Sequence, residues 1–282
     1  MPPQHDRPRR PGDDGRPPAR KRWGQHFLAR PETAERIVEA ARVGGDDLVL
    51  EIGPGDGALT RPLARRAARV VAVEIDPLRA ERLQQELEVE PGRVAVLTGD
   101  VMQRTFRAWL EAGKAQGPAV MVANLPYNAA TRILTAAIED PSTIRRAVAT
   151  VQAEVADRFL ARVGDEAYGY LSIRTAAHAT GRRLFDLPPA AFRPRPRVHS
   201  TVMELTPRPL AIADPGSIER ALRLASLGFQ ARRKTLANAL SSVAARAHWE
   251  SALQAIGKTA RARAEELSLE DFVALARSTV PA

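Results

Sequence analysis

The sequence predicts an α/β fold: a doubly wound, mostly parallel sheet followed by a small all-helical domain. Three observations carry this. Short apolar runs recur at LVLEIG (48–53), VVAVEID (70–76), VAVLTGD (94–100) and AVMVAN (119–124). Stretches with helical spacing separate them, the alternation that parallel strands require. After TPRPL (206–210) only helical spacing remains, which puts a domain boundary near residue 207.

Taken in order, residues 1–22 hold six prolines, no aromatic residue and almost nothing apolar, so they predict a disordered basic tail. Order is expected to begin near Trp23. Pro31 to Ala41 reads as a helix with Ile37 and Val38 on its apolar side. LVLEIG is a short buried strand, and Ala58 to Arg66 the helix after it. VVAVEID is the second strand, followed by a helix around Arg79 to Leu87. VAVLTGD and AVMVAN are the third and fourth. AVATVQ (147–152) reads as a fifth, running into a helix that holds Glu154 and Phe159. STVMEL (200–205) alternates in polarity and is a late strand. The organisation is therefore a tail (1–22), an α/β domain (23–207) and a helical domain (208–282), with no internal repeat.

Composition narrows the function. The absence of cysteine excludes disulfides, thiolate zinc sites and a Cys nucleophile. None of the five histidines has ligand spacing to another, so no metal is expected. No apolar stretch approaches the roughly 20 residues of a membrane helix, and the N-terminus lacks a signal-peptide core, so a cytoplasmic location is expected. Net charge is +9, distributed unevenly. Residues 1–22 carry seven Lys/Arg against three Asp/Glu, and residues 208–282 carry eleven against seven. Basic ends on a near-neutral centre suggest a polyanionic partner. An Arg-rich composition of genomic origin would give the same total.

The chemistry concentrates at strand ends. EIGPGDGAL (51–59) follows the first strand and opens a helix; Gly53, Gly55 and Ala58 match the G-x-G-x-x-A pattern of dinucleotide-binding turns. Glycines there let the backbone approach a ligand, although a tight strand-to-helix turn would use them too. Glu74 ends the second strand, 21 positions after Gly53, where a carboxylate accepts ribose hydroxyls. Asp100 ends the third strand and suits an adenine amine. Together these place an adenosine at the carboxyl edge of the sheet. NAD and S-adenosylmethionine both contain adenosine, so a dehydrogenase and a methyltransferase both remain.

The stretch NLPYN (124–128) ends the fourth strand at that edge. It reads as a turn, or as a site for an exocyclic amine. Such an amine is a poor nucleophile because its lone pair is delocalised into the ring. Two fixed acceptors, the Asn124 side-chain oxygen and the Leu125 carbonyl, would bind both hydrogens and favour a pyramidal nitrogen. Pro126 fixes its own φ and restricts Leu125. Tyr127 offers a face for a base removed from its helix. Transfer from a sulfonium releases a neutral thioether, so alignment and electrostatics supply most of the rate.

With these motifs in view, the chain resembles the ribosomal RNA adenine dimethyltransferases. KRWGQHFL (21–28), EIGPGDGAL, NLPYN, QAEVADRFLA (152–161), YGYLS (168–172), FRPRPRVHST (192–201) and FQARRKTLANAL (229–240) occur in the family's order, over about residues 21–275. The last motif and YGYLS favour its small-subunit (16S) branch over the erythromycin-resistance branch, which modifies large-subunit RNA. The resemblance implies a Rossmann-like class I methyltransferase sheet, S-adenosylmethionine as donor, and a monomer acting on the small ribosomal subunit or its precursor. It implies donor contacts from His26, Leu28, Gly53, Glu74, Asp100 and Asn124, with Gly55 in the same turn. His26 stands where some relatives have Asn; a contact through its backbone would survive that change more readily than one through its side chain, and packing beside Phe27 is the other reading. Phe192 would lie on the far face of the target base, sandwiching it with Tyr127; filling the core is the other reading. Arg193, Arg195 and Arg197, spaced by prolines, would meet successive phosphates. Arg232, Arg233 and Lys234 form a basic cluster for RNA in the helical region, or a solvated face. Some relatives serve ribosome assembly without catalysis, but Asn124 and Tyr127 are both present here.

Overall fold

A computed structural model describes residues 25–87, 92–208 and 214–278. The tail expected over 1–22, and Trp23, lie outside these residues.

Among the described residues, the chain forms β1 (Phe27–Leu28), α1 (Pro31–Ala41), β2 (Leu48–Ile52), α2 (Thr60–Arg66), β3 (Arg69–Glu74), α3 (Pro77–Leu87), β4 (Val94–Thr98), α4 (Phe106–Ala112), β5 (Ala119–Asn124), α5 (Ala130–Ile138) and β6 (Ile144–Gln152). Then come α6 (Ala153–Leu160), α7 (Tyr170–His178), β7 (Ala179–Leu187), β8 (Phe192–Arg193) and β9 (Ser200–Pro207). The helices α8 (Pro215–Gln230), α9 (Leu236–Ala239), α10 (Arg246–Ala255) and α11 (Leu269–Ser278) follow.

Seven strands form one sheet in the order β4-β3-β2-β5-β6-β9-β7. The first five are parallel, β9 runs antiparallel to them, and β7, antiparallel to β9, runs in their direction again. Strand order reverses between β2 and β5, so their carboxyl ends open a crevice at that point. Gly53, Glu74 and Asn124 stand around it because each ends or follows one of the three adjacent strands β2, β3 and β5.

The strand alternation builds two cores. Leu50, Ile52, Val71, Val73, Met121 and Ala123 face Trp109, Ile133 and Leu134 on one side. Val49, Val70, Val120 and Val122 face Ile37, Val38 and Leu63 on the other. A third cluster joins Ile218, Leu224, Trp249, Leu253 and Phe272 of the C-terminal helices to Tyr168, Ile173 and Ala177 at α7. The helical region is thus anchored on an α/β element, and the Tyr168 hydroxyl donates to the Leu267 carbonyl at 2.8 Å.

Two strands of the main sheet differ from expectation. The fifth sheet strand begins at Ile144 rather than Ala147. β7, over ATGRRLFDL, was not anticipated. It is an edge strand carrying Arg182, Arg183 and Asp186 rather than an apolar run, and charges of this kind keep an edge from pairing with other chains.

Candidate active site

The first wall of the crevice is the turn after β2. Gly53 and Gly55 adopt φ of 68° and 57°, which only glycine takes up readily. A Cβ at Gly53 would meet nothing within 4 Å, so the turn leaves open space in front of it. A Cβ at Gly55 would meet the Phe27 ring at 2.8 Å, so glycine is needed there for close packing against β1. The Arg79 guanidinium lies over the other part of this assembly, 4.2 Å from the Phe27 centroid.

Glu74 braces the turn. Its Oε2 accepts the Gly55 N–H at 2.9 Å and its Oε1 accepts the Asp76 N–H at 2.9 Å. The residue is only 2% exposed. Burial pushes its carboxyl above the usual carboxylate range, while the two amides and Arg79 pull it back. Each oxygen retains a second lone pair. Asp100 caps the short turn Val101–Gln103 by accepting the Met102 N–H at 2.9 Å through one oxygen.

The second wall is NLPYN. The Asn124 Nδ2 donates to the His26 carbonyl at 2.7 Å. A carbonyl accepts only from the amino side of an amide, so this bond fixes which way the side chain is turned and leaves Oδ1 as its acceptor. Leu125 is anchored in the main core, and its N–H donates to the Thr150 carbonyl at 3.2 Å, holding its peptide in place. The Pro126 carbonyl accepts from Ala129 and Ala130 at the start of α5. A small hollow is lined by His26, Gly53, Glu74, Asn124 and Leu125.

His26 proves more engaged than the sequence indicates. Besides its carbonyl, its Nδ1 lies 2.7 Å from the Pro194 carbonyl and so carries the proton there. Its imidazole stacks on Tyr127 with centroids 4.9 Å apart and an interplanar angle of 30°. The Tyr127 hydroxyl pairs with Ser200 Oγ at 2.7 Å.

Phe192 was expected against the target base or in the core. It is 2% exposed, belongs to the core with Val122 and Val202, and pairs with Leu28 in the two-stranded ladder of β1 and β8. The His26 imidazole meets the Tyr127 ring. Sequence reasoning missed this, since a single His beside Phe27 carries no periodic signal.

The basic residues divide similarly. Arg193, Arg195 and Arg197 are all exposed, whereas Pro196 between them is buried. Arg232, Arg233 and Lys234 lie in the turn between α8 and α9 and are exposed. Arg232 also donates to the Tyr168 carbonyl at 3.2 Å, which ties it to the α/β region. Among the described residues, no group of three or more His, Asp or Glu is arranged to hold a metal. Among the same residues, no helix is long and apolar enough to cross a membrane.

Comparison with known proteins decides the family. The model of the family described as ribosomal RNA adenine dimethylase matches residues 17–279. The chain belongs to the ribosomal RNA adenine dimethylase family. The enzyme is 40% identical over 266 residues to ribosomal RNA small subunit methyltransferase A of Synechococcus elongatus, covering 92% of this chain and 94% of that one. Its identity to the protein of the same name from Xanthomonas campestris is 38% over 259 residues, 92% and 95% of the two chains. Among solved structures, the 23S rRNA methyltransferase ErmE superposes with a TM-score of 0.70 at 28% identity over 89% of this chain and 98% of that one. A dimethyladenosine transferase from Plasmodium falciparum gives 0.75 at 24% identity, over 89% and 96%, and shares the fold. The dimethylase is therefore a methyl-transferring enzyme acting on ribosomal RNA adenines, not a dehydrogenase.

One expected result concerns the Tyr127–Ser200 pair. Tyr127→Phe keeps the ring and loses one neutral hydrogen bond worth about 0.5–1.5 kcal/mol. If the Tyr127 ring holds the target base, Tyr127→Ala loses stacking worth about 1–3 kcal/mol. RNA affinity and single-turnover rate should therefore fall clearly for Tyr127→Ala and little for Tyr127→Phe. An inactive Tyr127→Phe would mean that the hydroxyl itself takes part.

Proposed function

We propose that the enzyme dimethylates the 6-amino groups of two adjacent adenines in the 3′-terminal hairpin of 16S rRNA, using S-adenosylmethionine, as a monomer acting on the small ribosomal subunit or its precursor. The observation that carries this reading is the orientation of Asn124. With Nδ2 held by the His26 carbonyl, Oδ1 serves as an acceptor at the crevice, beside a Leu125 peptide that is itself fixed. Two such acceptors draw both hydrogens of an adenine amine and turn its lone pair away from the ring.

Fit to the donor rests on this chain's own features. Open space before Gly53 admits a ligand against the backbone, and Glu74 stands where ribose hydroxyls would be accepted. Asp100 would take the adenine amine, and Leu28, His26 and Gly55 would line the tail. When bound, the donor supplies a methyl group on a positively charged sulfur that leaves as a neutral thioether. Asn124 and Leu125 orient the amine for in-line attack, and the amine proton passes to solvent. Preorganised positioning of this kind accounts for catalysis without a general acid.

Choice of the small subunit is supported by relatives at 38–40% identity that carry that name, against 28% for the 23S enzyme. Arg193, Arg195, Arg197, Arg233 and Lys234, with the exposed part of Arg232, would meet phosphates. The test is to offer separate small and large subunits lacking the modification as acceptors of labelled methyl groups. Label in small subunits supports the reading; label confined to large subunits sinks it.

Arg233→Ala with Lys234→Ala should weaken RNA-particle binding and lower the slope of log affinity against log salt by about one to two, because each phosphate contact releases counterions. Donor affinity should stay unchanged. Equal salt slopes would make the turn a solvated surface.

A further inference from the structure

Three contacts converge on His26. Its carbonyl accepts from the Asn124 Nδ2 at 2.7 Å, its Nδ1 donates to the Pro194 carbonyl at 2.7 Å, and its imidazole stacks on Tyr127. Asn124 and Tyr127 are the residues that the proposed reading gives to the target amine and its ring. His26 therefore touches both groups that an incoming adenine must touch.

The imidazole lies 4.9 Å from the Tyr127 centroid at an interplanar angle of 30°, in the layer that a stacked base would take. The hollow bounded by His26, Asn124, Leu125 and Pro126 measures about 50 Å³. It admits a few waters, at roughly 10–15 Å³ each, but not the fused rings of a purine. Something has to move before a base can enter. Leu125 and Phe192 are each 2% exposed and held in the core, whereas the His26 side chain is only half-buried.

The His26 backbone has a task of its own, since its carbonyl must stay on the Asn124 Nδ2 if Oδ1 is to face the amine. β1 follows at once, with Phe27 and Leu28 paired to β8. The His26 ring is held by its stack and by the Pro194 carbonyl. Rotation about its Cα–Cβ bond releases both and leaves the backbone in place. Tyr127 stays, because its hydroxyl is tied to Ser200 Oγ at 2.7 Å.

We infer that the His26 imidazole occupies the target-base slot on Tyr127 and swings out to let an adenine in. The ring exchanges its own stack on Tyr127 for that of the base, and the cost of lifting it sets a threshold for insertion. That threshold falls on every base alike. An adenine offsets it through Asn124 and Leu125, whereas a base without an exocyclic amine has only its stack to offer. His26 is thus a positioning residue, through its carbonyl for Asn124 and through its ring for the base. This rests on the adenine reading proposed above.

The experiment is single-turnover methylation of small subunits lacking the modification, with saturating S-adenosylmethionine and a range of enzyme concentrations in excess. The slope of rate against enzyme concentration in its linear range compares the free enzyme, ring in place, with the transition state, ring displaced. A structural loss lowers that slope, and only removal of an obstacle raises it. An aromatic pair and a neutral hydrogen bond each contribute roughly a factor of two to ten, so His26→Ala should raise the slope about threefold or more. His26→Asn keeps an N–H for the Pro194 carbonyl, which favours folding, but has no ring, and should gain about twofold or more. His26→Phe, whose larger ring still stacks, should gain nothing. Slopes at or below the parent's for His26→Ala and His26→Asn, in proteins that melt with the parent, overturn the inference, as does an equal gain with His26→Phe. Continued methylation of adenine 6-amino groups in those variants leaves the adenine reading intact. A parent that transfers no methyl group to adenine in small subunits overturns that reading and this inference with it.

Discussion

Asn124→Ala lowers the single-turnover rate, at saturating donor and RNA, by roughly a hundredfold or more, comparable to loss of one oriented electrostatic group in a preorganised site. The side chain does two things that alanine cannot. Its Nδ2 holds the His26 carbonyl at 2.7 Å, and its Oδ1 is thereby presented to the crevice. Removing it frees the β1 segment at one point and leaves the amine with a single fixed acceptor in Leu125. Asn124→Asp separates these roles, since a carboxylate accepts hydrogen bonds but cannot donate to His26. A normal rate for Asn124→Ala would reduce NLPYN to a turn.

Glu74→Ala weakens donor binding by on the order of 1.5–3 kcal/mol, the scale for hydrogen bonds to a charged group, or about ten- to more than a hundredfold in affinity. It also strands the Gly55 and Asp76 amides, which now donate to its two oxygens. Each buried donor left unsatisfied costs about 1–3 kcal/mol, so the variant should melt earlier as well. Glu74→Gln keeps an acceptor for one amide and serves as the milder control. Calorimetry finding unchanged donor affinity in folded Glu74→Gln and Glu74→Ala would confine the residue to bracing the turn.

The parallel sheet was legible because its central strands are buried on both faces and therefore read as apolar runs. β7 was not, since an edge strand with Arg182 and Arg183 facing outward has no such run. The strand ends were legible too: a glycine turn, Glu74, Asp100 and Asn124 converge only if their strands are adjacent, and sequence order suggested that they are. What stayed hidden depends on contacts between segments far apart in the chain. Phe192 belongs to the core because β8 pairs with β1, some 165 residues away. The stacking of His26 on Tyr127, and the hold of Ser200 at the start of β9 on the same side chain, likewise join segments far apart in the chain.

The most direct test of the account is nucleotide-resolution mapping of methylation after incubating the enzyme with S-adenosylmethionine and small subunits lacking the modification. Two adjacent N6,N6-dimethyladenosines in the 3′-terminal hairpin of 16S rRNA are predicted, both lost with Asn124→Ala under single-turnover conditions. Methylation at any other base, or at a ring nitrogen in place of the 6-amino group, would contradict it.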